Sequence, residues 1–131
     1  MIFIDSSFFI AAINKKDQWH QKAGEILPII KNEEKIISEL ILSESVTLIG
    51  SLFGGKTGIK LFNYILDNHE IHYLDKNLIF DAMEIFLKYD GTLSFADSVS
   101  VQIMKDLQIE KIVSFDSDFD KVKKIRRIYS E

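Results

Sequence analysis

Ile112-Val113-Ser114-Phe115-Asp116-Ser117-Asp118-Phe119-Asp120 is the stretch on which the reading of this chain turns. A short apolar run leads into three carboxylates at alternate positions. The apolar pair reads as a strand of a parallel sheet, because a strand covered by helices on both faces shows continuous hydrophobic residues instead of alternation. Asp116 then stands at the strand's carboxyl end, where open α/β sheets gather their ligands. A globular domain seldom sets so much negative charge beside a buried strand unless something positive meets it.

The same pattern recurs outward from there. Ile2-Phe3-Ile4 is an apolar run ending at Asp5, and Lys35-Ile36-Ile37 is a second, followed by Ser38 as a helix N-cap. Residues 70–74 alternate as a third strand does, and Arg126-Arg127-Ile128-Tyr129 forms a short fifth at an edge. Between them lie helical segments. One runs from Ser6 or Ser7 to about Asn14, and one from Asp17 to Lys31 with Trp19, Ala23, Ile26, Leu27 and Ile30 inward, where Pro28 is expected to kink or end it. Another spans residues 39–53 with Ile41, Ser45, Leu48, Ile49 and Leu52 along one side. Gly54-Gly55 breaks this helix, and GGKTG lacks the spacing of a phosphate loop. The next segment turns Ile59, Phe62, Ile65 and Leu66 inward. Asp75 caps a helix to about Tyr89 that buries Ile79, Ala82, Met83 and Phe86. After Ser94, Val99, Ile103 and Leu107 form a last buried stripe. Strands alternating with helices predict an α/β fold: a central, mostly parallel sheet of four to five strands flanked by helices. With 131 residues and no linker or repeat, a single domain over 1–131 is expected.

Composition narrows the function. A hydrophobic share of 47% with 27% charged residues is that of a folded soluble domain, and with no cysteine neither disulfides nor thiolate metal sites can form. The apolar N-terminus has no basic flank and no run approaches the ~20 residues of a membrane helix. A cytoplasmic, unprocessed protein with no membrane association is therefore expected. A net charge of −4 argues against a generally basic nucleic-acid binder. Lys121, Lys123, Lys124, Arg126 and Arg127 nonetheless form a basic run. A solvated face or a charge-protected edge strand is its commoner explanation; contact with phosphates is the sharper one.

Four acids compete for structural and chemical roles. Asp5 could be a helix N-cap. Ser94-Phe95-Ala96-Asp97 has the form of a capping box, in which Asp97 reaches back to Ser94. Glu44 falls at the margin of an apolar helix face, past the first turn where the dipole favours a carboxylate. His20 is a lone histidine on an amphipathic helix, more often a packing residue than a ligand. Asp5 and Asp116 end strands, Glu44 is in the helix after the second strand, and Asp97 opens the helix before the last central one, so all four can meet at one mouth. Carboxylates held together repel, and a raised pKa or a bound cation is the usual outcome. An all-oxygen set without cysteine points to Mg²⁺ or Mn²⁺. A calcium loop beginning at Asp116 is disfavoured, since Lys121 stands where a glycine is needed and Arg127 where a glutamate is. A DxD phosphatase would carry its motif after the first strand, which supplies only Asp5. A response-regulator receiver needs a pair of acids before its phosphoacceptor, and none is suitably placed.

Asp5 after its strand, SELILSE over residues 38–44, FAD over residues 95–97 and FDSDFD over residues 115–120 together resemble the PIN domain, most nearly the VapC-type toxins of toxin–antitoxin pairs. The resemblance spans essentially the whole chain. It implies a PIN-like three-layer sandwich and a Mg²⁺- or Mn²⁺-dependent endoribonuclease whose catalytic acids fall on Asp5, Glu44, Asp97 and Asp116. Asp5, Asp97 and Asp116 would bind metal, with Glu44 and Asp118 joining directly or through water, and Ser7 and Ser114 as supporting hydroxyls. It also implies an RNA substrate, with Lys121, Lys123 and Lys124 as candidate contacts, an inhibiting antitoxin and a homodimer. A housekeeping RNA-processing nuclease and a non-catalytic RNA- or protein-binding module are the rival expectations.

Overall fold

A computed structural model describes residues 1–130. Five short strands, β1 (Ile2–Ile4), β2 (Lys35–Ser38), β3 (Glu70–His72), β4 (Lys111–Val113) and β5 (Arg126–Ile128), form one sheet in the order β3-β2-β1-β4-β5. Every pairing is parallel, with Phe3 opposite Ile36 on one side and Ile112 on the other. The sheet is thus wholly parallel, and the edge strand expected near Arg126 is present. Each of β1, β2 and β4 carries side chains with no solvent exposure, as strands covered on both faces must.

The helices are α1 (Ser6–Ile13), α2 (His20–Ile30), α3 (Glu39–Phe53), α4 (Gly55–Asn68), α5 (Lys76–Lys88) and α6 (Phe95–Asp106). A 3-10 turn covers Ser117–Lys121. Caps read from sequence are in place: Ser38 accepts the Ile41 amide at 3.2 Å and Asp75 the Leu78 amide at 2.8 Å. Gly54, at φ 95°, ends α3 in a conformation that side-chain-bearing residues rarely adopt. Glu39 lies in the first turn of α3, where the dipole favours a carboxylate, and its Oε1 also accepts the Leu74 amide at 2.6 Å, tying α3 to the segment after β3.

Chain order decides where a site forms. From β1 the chain steps to β2 and β3 on one side, and later fills β4 and β5 on the other. The crevice beyond the carboxyl ends of β1 and β4 is therefore the topological switch point, where α/β sheets bind ligands.

Several helix faces differ from expectation. The second helix begins at His20, because Asp17 instead builds a turn by accepting the Trp19 amide at 2.8 Å. Pro28 does not end it, since α2 runs on to Ile30. The faces turned inward are Ile41, Ser45 and Ile49 of α3, Gly58, Leu61 and Ile65 of α4, and Leu78, Ala82 and Ile85 of α5. Leu48, Leu52, Ile59, Phe62, Leu66, Ile79, Met83, Phe86, Leu107 and Leu27, all expected inside, are exposed. These helices carry more apolar positions than one sheet face can cover, and the wider stripes spill onto the surface.

Candidate active site

The Asp5 carboxylate comes first, because the competing structural role can be checked there. Asp5 is the N-cap residue of α1, but its side chain makes no capping hydrogen bond to that helix. Oδ2 instead accepts the Ser114 hydroxyl at 2.7 Å and the Ser7 hydroxyl at 2.9 Å. Each hydroxyl has one proton, so with both given to Asp5 the 3.3 Å approach between them is a contact only. Each serine oxygen also accepts a backbone amide, Ser7 from Phe115 and Ser114 from Asp116, both at 3.0 Å. The first strand, the first turn of α1 and the loop after β4 are thereby locked around one buried carboxylate.

Asp97 shows the second competition. Ser94 caps α6 by accepting the Asp97 amide at 3.0 Å. No return bond from the Asp97 carboxylate to the Ser94 amide exists among the described residues, so the capping box is half formed and the carboxylate is left to the cleft. Burial, and then the charges of Asp5 and Asp116, push its pKa up to about 7, with Glu44 adding to the rise. Burial likewise raises Asp5, against the pull of its two serine bonds. Glu44 receives the Ser6 hydroxyl at 3.1 Å, a tie from α1 to α3 that the sequence did not reveal. Asp116 caps the 3-10 turn by accepting the Asp118 amide at 2.9 Å.

All four acids line one open cleft of about 660 Å³, together with Asp118, Ser6, Ser7, Asp17, Trp19 and Phe115. The basic run is divided. Lys121 sits at the rim, paired with Asp118 at 3.1 Å. Lys123 and Lys124 line a different groove with Met1, Lys111 and Arg126, at the amino ends of the strands and so on the opposite edge of the sheet. Arg127 turns inward. Its Nε and Nη2 hold Asp120 at 3.0 and 2.9 Å, its Nη1 donates to the Ser114 carbonyl at 3.2 Å, and it lies 4.0 Å from the Tyr129 ring centroid. His20 is away from the chemistry: Nδ1 lies 2.7 Å from the Ala11 carbonyl, which can only accept.

A match to the PIN domain family covers residues 2–125. The chain belongs to the PIN domain family. Comparison with curated protein sequences finds no match. Among solved structures, the chain is similar to VapC20 of Mycobacterium tuberculosis, a toxin that cleaves the sarcin–ricin loop, with 26% identity, TM-score 0.82, and 92% of this chain and 94% of that one covered. The fold is shared with VapBC2 of Rickettsia felis bound to a promoter DNA fragment (16% identity, TM-score 0.73, 98% of each chain). It is shared also with DNA-bound VapBC of Salmonella typhimurium (13% identity, TM-score 0.71, 97% and 96% covered).

The acidic cleft of this PIN domain suits a hard divalent cation by its donor chemistry: carboxylate and hydroxyl oxygens, and an Asp97 carboxylate that burial and then the charges of Asp5 and Asp116 make costly to ionise without a cation. Among the described residues, no three His, Asp or Glu side chains form a ready-made cage. Mg²⁺ fits such a site, because it keeps several waters and takes one or two carboxylates with substrate phosphate.

Proposed function

We propose that this PIN domain is a Mg²⁺- or Mn²⁺-dependent endoribonuclease and the toxin of a toxin–antitoxin pair. The observation that carries the reading is the meeting of Asp5, Glu44, Asp97 and Asp116, from four separate parts of the chain, in one cleft at the switch point of the sheet. Likeness across nearly the whole chain to an RNA-cleaving toxin supports the toxin assignment.

Asp5, Asp97 and Asp116 would hold the ion, and Glu44 and Asp118, which line the same cleft, would join directly or through water. When bound, the ion supplies a water activated for attack and charge stabilisation at the leaving oxygen of a phosphodiester. Ser7 and Ser114 fix the direction of the Asp5 carboxylate, and Ser6 that of Glu44. Without metal the Asp97 carboxyl is pushed up to about 7 by burial and then by Asp5 and Asp116; a bound cation would favour its ionised, ligating form. Lys121 at the rim is placed to exchange Asp118 for a substrate phosphate. Lys123 and Lys124 do not line the cleft and are assigned no contact with RNA held in it.

Two protein partners complete the reading. Exposed apolar side chains on α3 and α4 (Leu52, 56%; Ile59, 62%) and on α5 (Phe80, 63%; Leu87, 77%) exceed what solvent alone favours and suit a second copy of the chain and an antitoxin. The antitoxin assignment also draws on the VapBC complexes of the same fold. Cleavage of single-stranded RNA by the purified chain, dependent on added Mg²⁺ or Mn²⁺ and lost in Asp116→Asn with its fold retained, tests the catalytic part. RNA binding without cleavage in either metal would favour a non-catalytic module.

A further inference from the structure

The cleft holds more than acids. Trp19 and Phe115 stack on its wall, ring centroids 5.4 Å apart and planes 3° from parallel. Phe115 is buried and immediately precedes Asp116, so one ring of the pair is fixed beside the acids. Trp19 is half-buried and is the chain's one tryptophan. Its position is set by the Asp17 turn, whose carboxylate accepts the Trp19 amide, and by the stacking partner beneath it. Trp19 precedes α2, packs in part against the core and also lines the cleft.

We infer that Trp19, backed by Phe115, is a stacking platform for an unpaired nucleobase next to the scissile phosphate. The inference rests on the nuclease reading and adds to it a named contact for one base of the RNA. A base-paired nucleotide keeps its faces covered by its neighbours, whereas a splayed base can lie on an aromatic ring, and such stacking is tolerant of sequence. Carboxylates give a substrate nothing to bind except through cations, so an aromatic wall supplies the neutral part of the recognition. The backing ring has a purpose in this account: it holds the indole in one plane before RNA arrives, which lowers the ordering cost of binding.

The single tryptophan makes the inference directly readable. An Asp97→Asn protein, first checked by calorimetry to retain Mn²⁺ binding and by gel assay to lack cleavage, is titrated in Mn²⁺ with a mixed-sequence single-stranded oligoribonucleotide of about 12 nucleotides. Saturable quenching of Trp19 emission is expected, with little quenching by the same oligomer carrying abasic sites. In the otherwise native enzyme, Trp19→Ala raises KM for RNA about tenfold with kcat much less affected, and Trp19→Phe restores it. Emission unchanged at saturating RNA, or a Trp19→Ala enzyme with native KM, overturns this inference and leaves the nuclease reading intact. Failure of the native protein to cleave any RNA overturns both. If Trp19→Ala does not fold, the quenching titration decides alone.

Discussion

The Asp5 carboxylate occupies a helix N-cap position, yet it is held by Ser7 and Ser114 instead of by the α1 amides. Ser114→Ala removes a donor to that buried carboxylate and an acceptor for the Asp116 amide. We expect a loss of about 1–3 kcal/mol in urea denaturation, together with weaker Mn²⁺ binding by calorimetry. Unchanged stability would show that the serine network does not hold the loop. The raised pKa of Asp97 has a pH signature of defined sign. A carboxylate whose folded pKa lies above its unfolded 3.8 binds more protons folded than unfolded, so its contribution is full below pH 3.8 and is lost as pH rises to about 7. Metal-free protein should therefore be more stable near pH 5 than near pH 8 by about 2 kcal/mol, discounted for partial exposure. Mg²⁺ or Mn²⁺ added at the higher pH should recover stability, and Asp97→Asn should flatten the profile. A flat profile in the unmodified protein would mean that neither burial nor the neighbouring acids raise the Asp97 pKa.

At the scale of elements, the strands were legible because β1, β2 and β4 are continuous apolar runs with acids or caps at their ends. Helix ends were legible wherever a side chain does the capping, as at Ser38, Asp75 and Ser94. Helix faces were harder to read. Periodicity marks every apolar position on α4 and α5, but only packing against neighbouring helices, α3 for α4, picks Leu61 and Ile65 over Ile59 and Phe62. The α2 start was missed because the Asp17 turn is a local hydrogen bond that apolar periodicity does not register. A close approach was also hidden from sequence: a Cβ on Gly58 would come within 3.3 Å of the Gly50 Cα, where α4 packs on α3. Gly58→Leu should force the two helices apart and cost about 1–3 kcal/mol by thermal or urea melting. A variant as stable as the native protein would mean that this crossing is loose.

For the whole molecule, the parallel order β3-β2-β1-β4-β5 places the ends of β1 and β4 side by side, and this turns scattered acids into a site. The sequence showed four acids, each with an ordinary structural alternative at its own position. Only the tertiary arrangement removes those alternatives, by leaving the Asp5 and Asp97 carboxylates without their capping bonds. Ser6, Trp19 and Arg127 could not be assigned beforehand, because each acts through a partner distant in sequence or through an irregular turn. The exposed apolar stripes predict a dimer: sedimentation should give twice the chain mass, and Lys substitutions at Leu52 and Ile59, or at Phe80 and Leu87, should return it to monomer. A monomeric native protein would contradict that assignment. The most direct test of the central claim is an RNA cleavage assay on the purified chain beside Asp97→Asn, each with Mn²⁺ and with chelator. Cleavage by the native protein is expected in Mn²⁺ alone, reduced at least a hundredfold in a folded Asp97→Asn. Equal cleavage by the two proteins, or cleavage that persists in chelator, would contradict it.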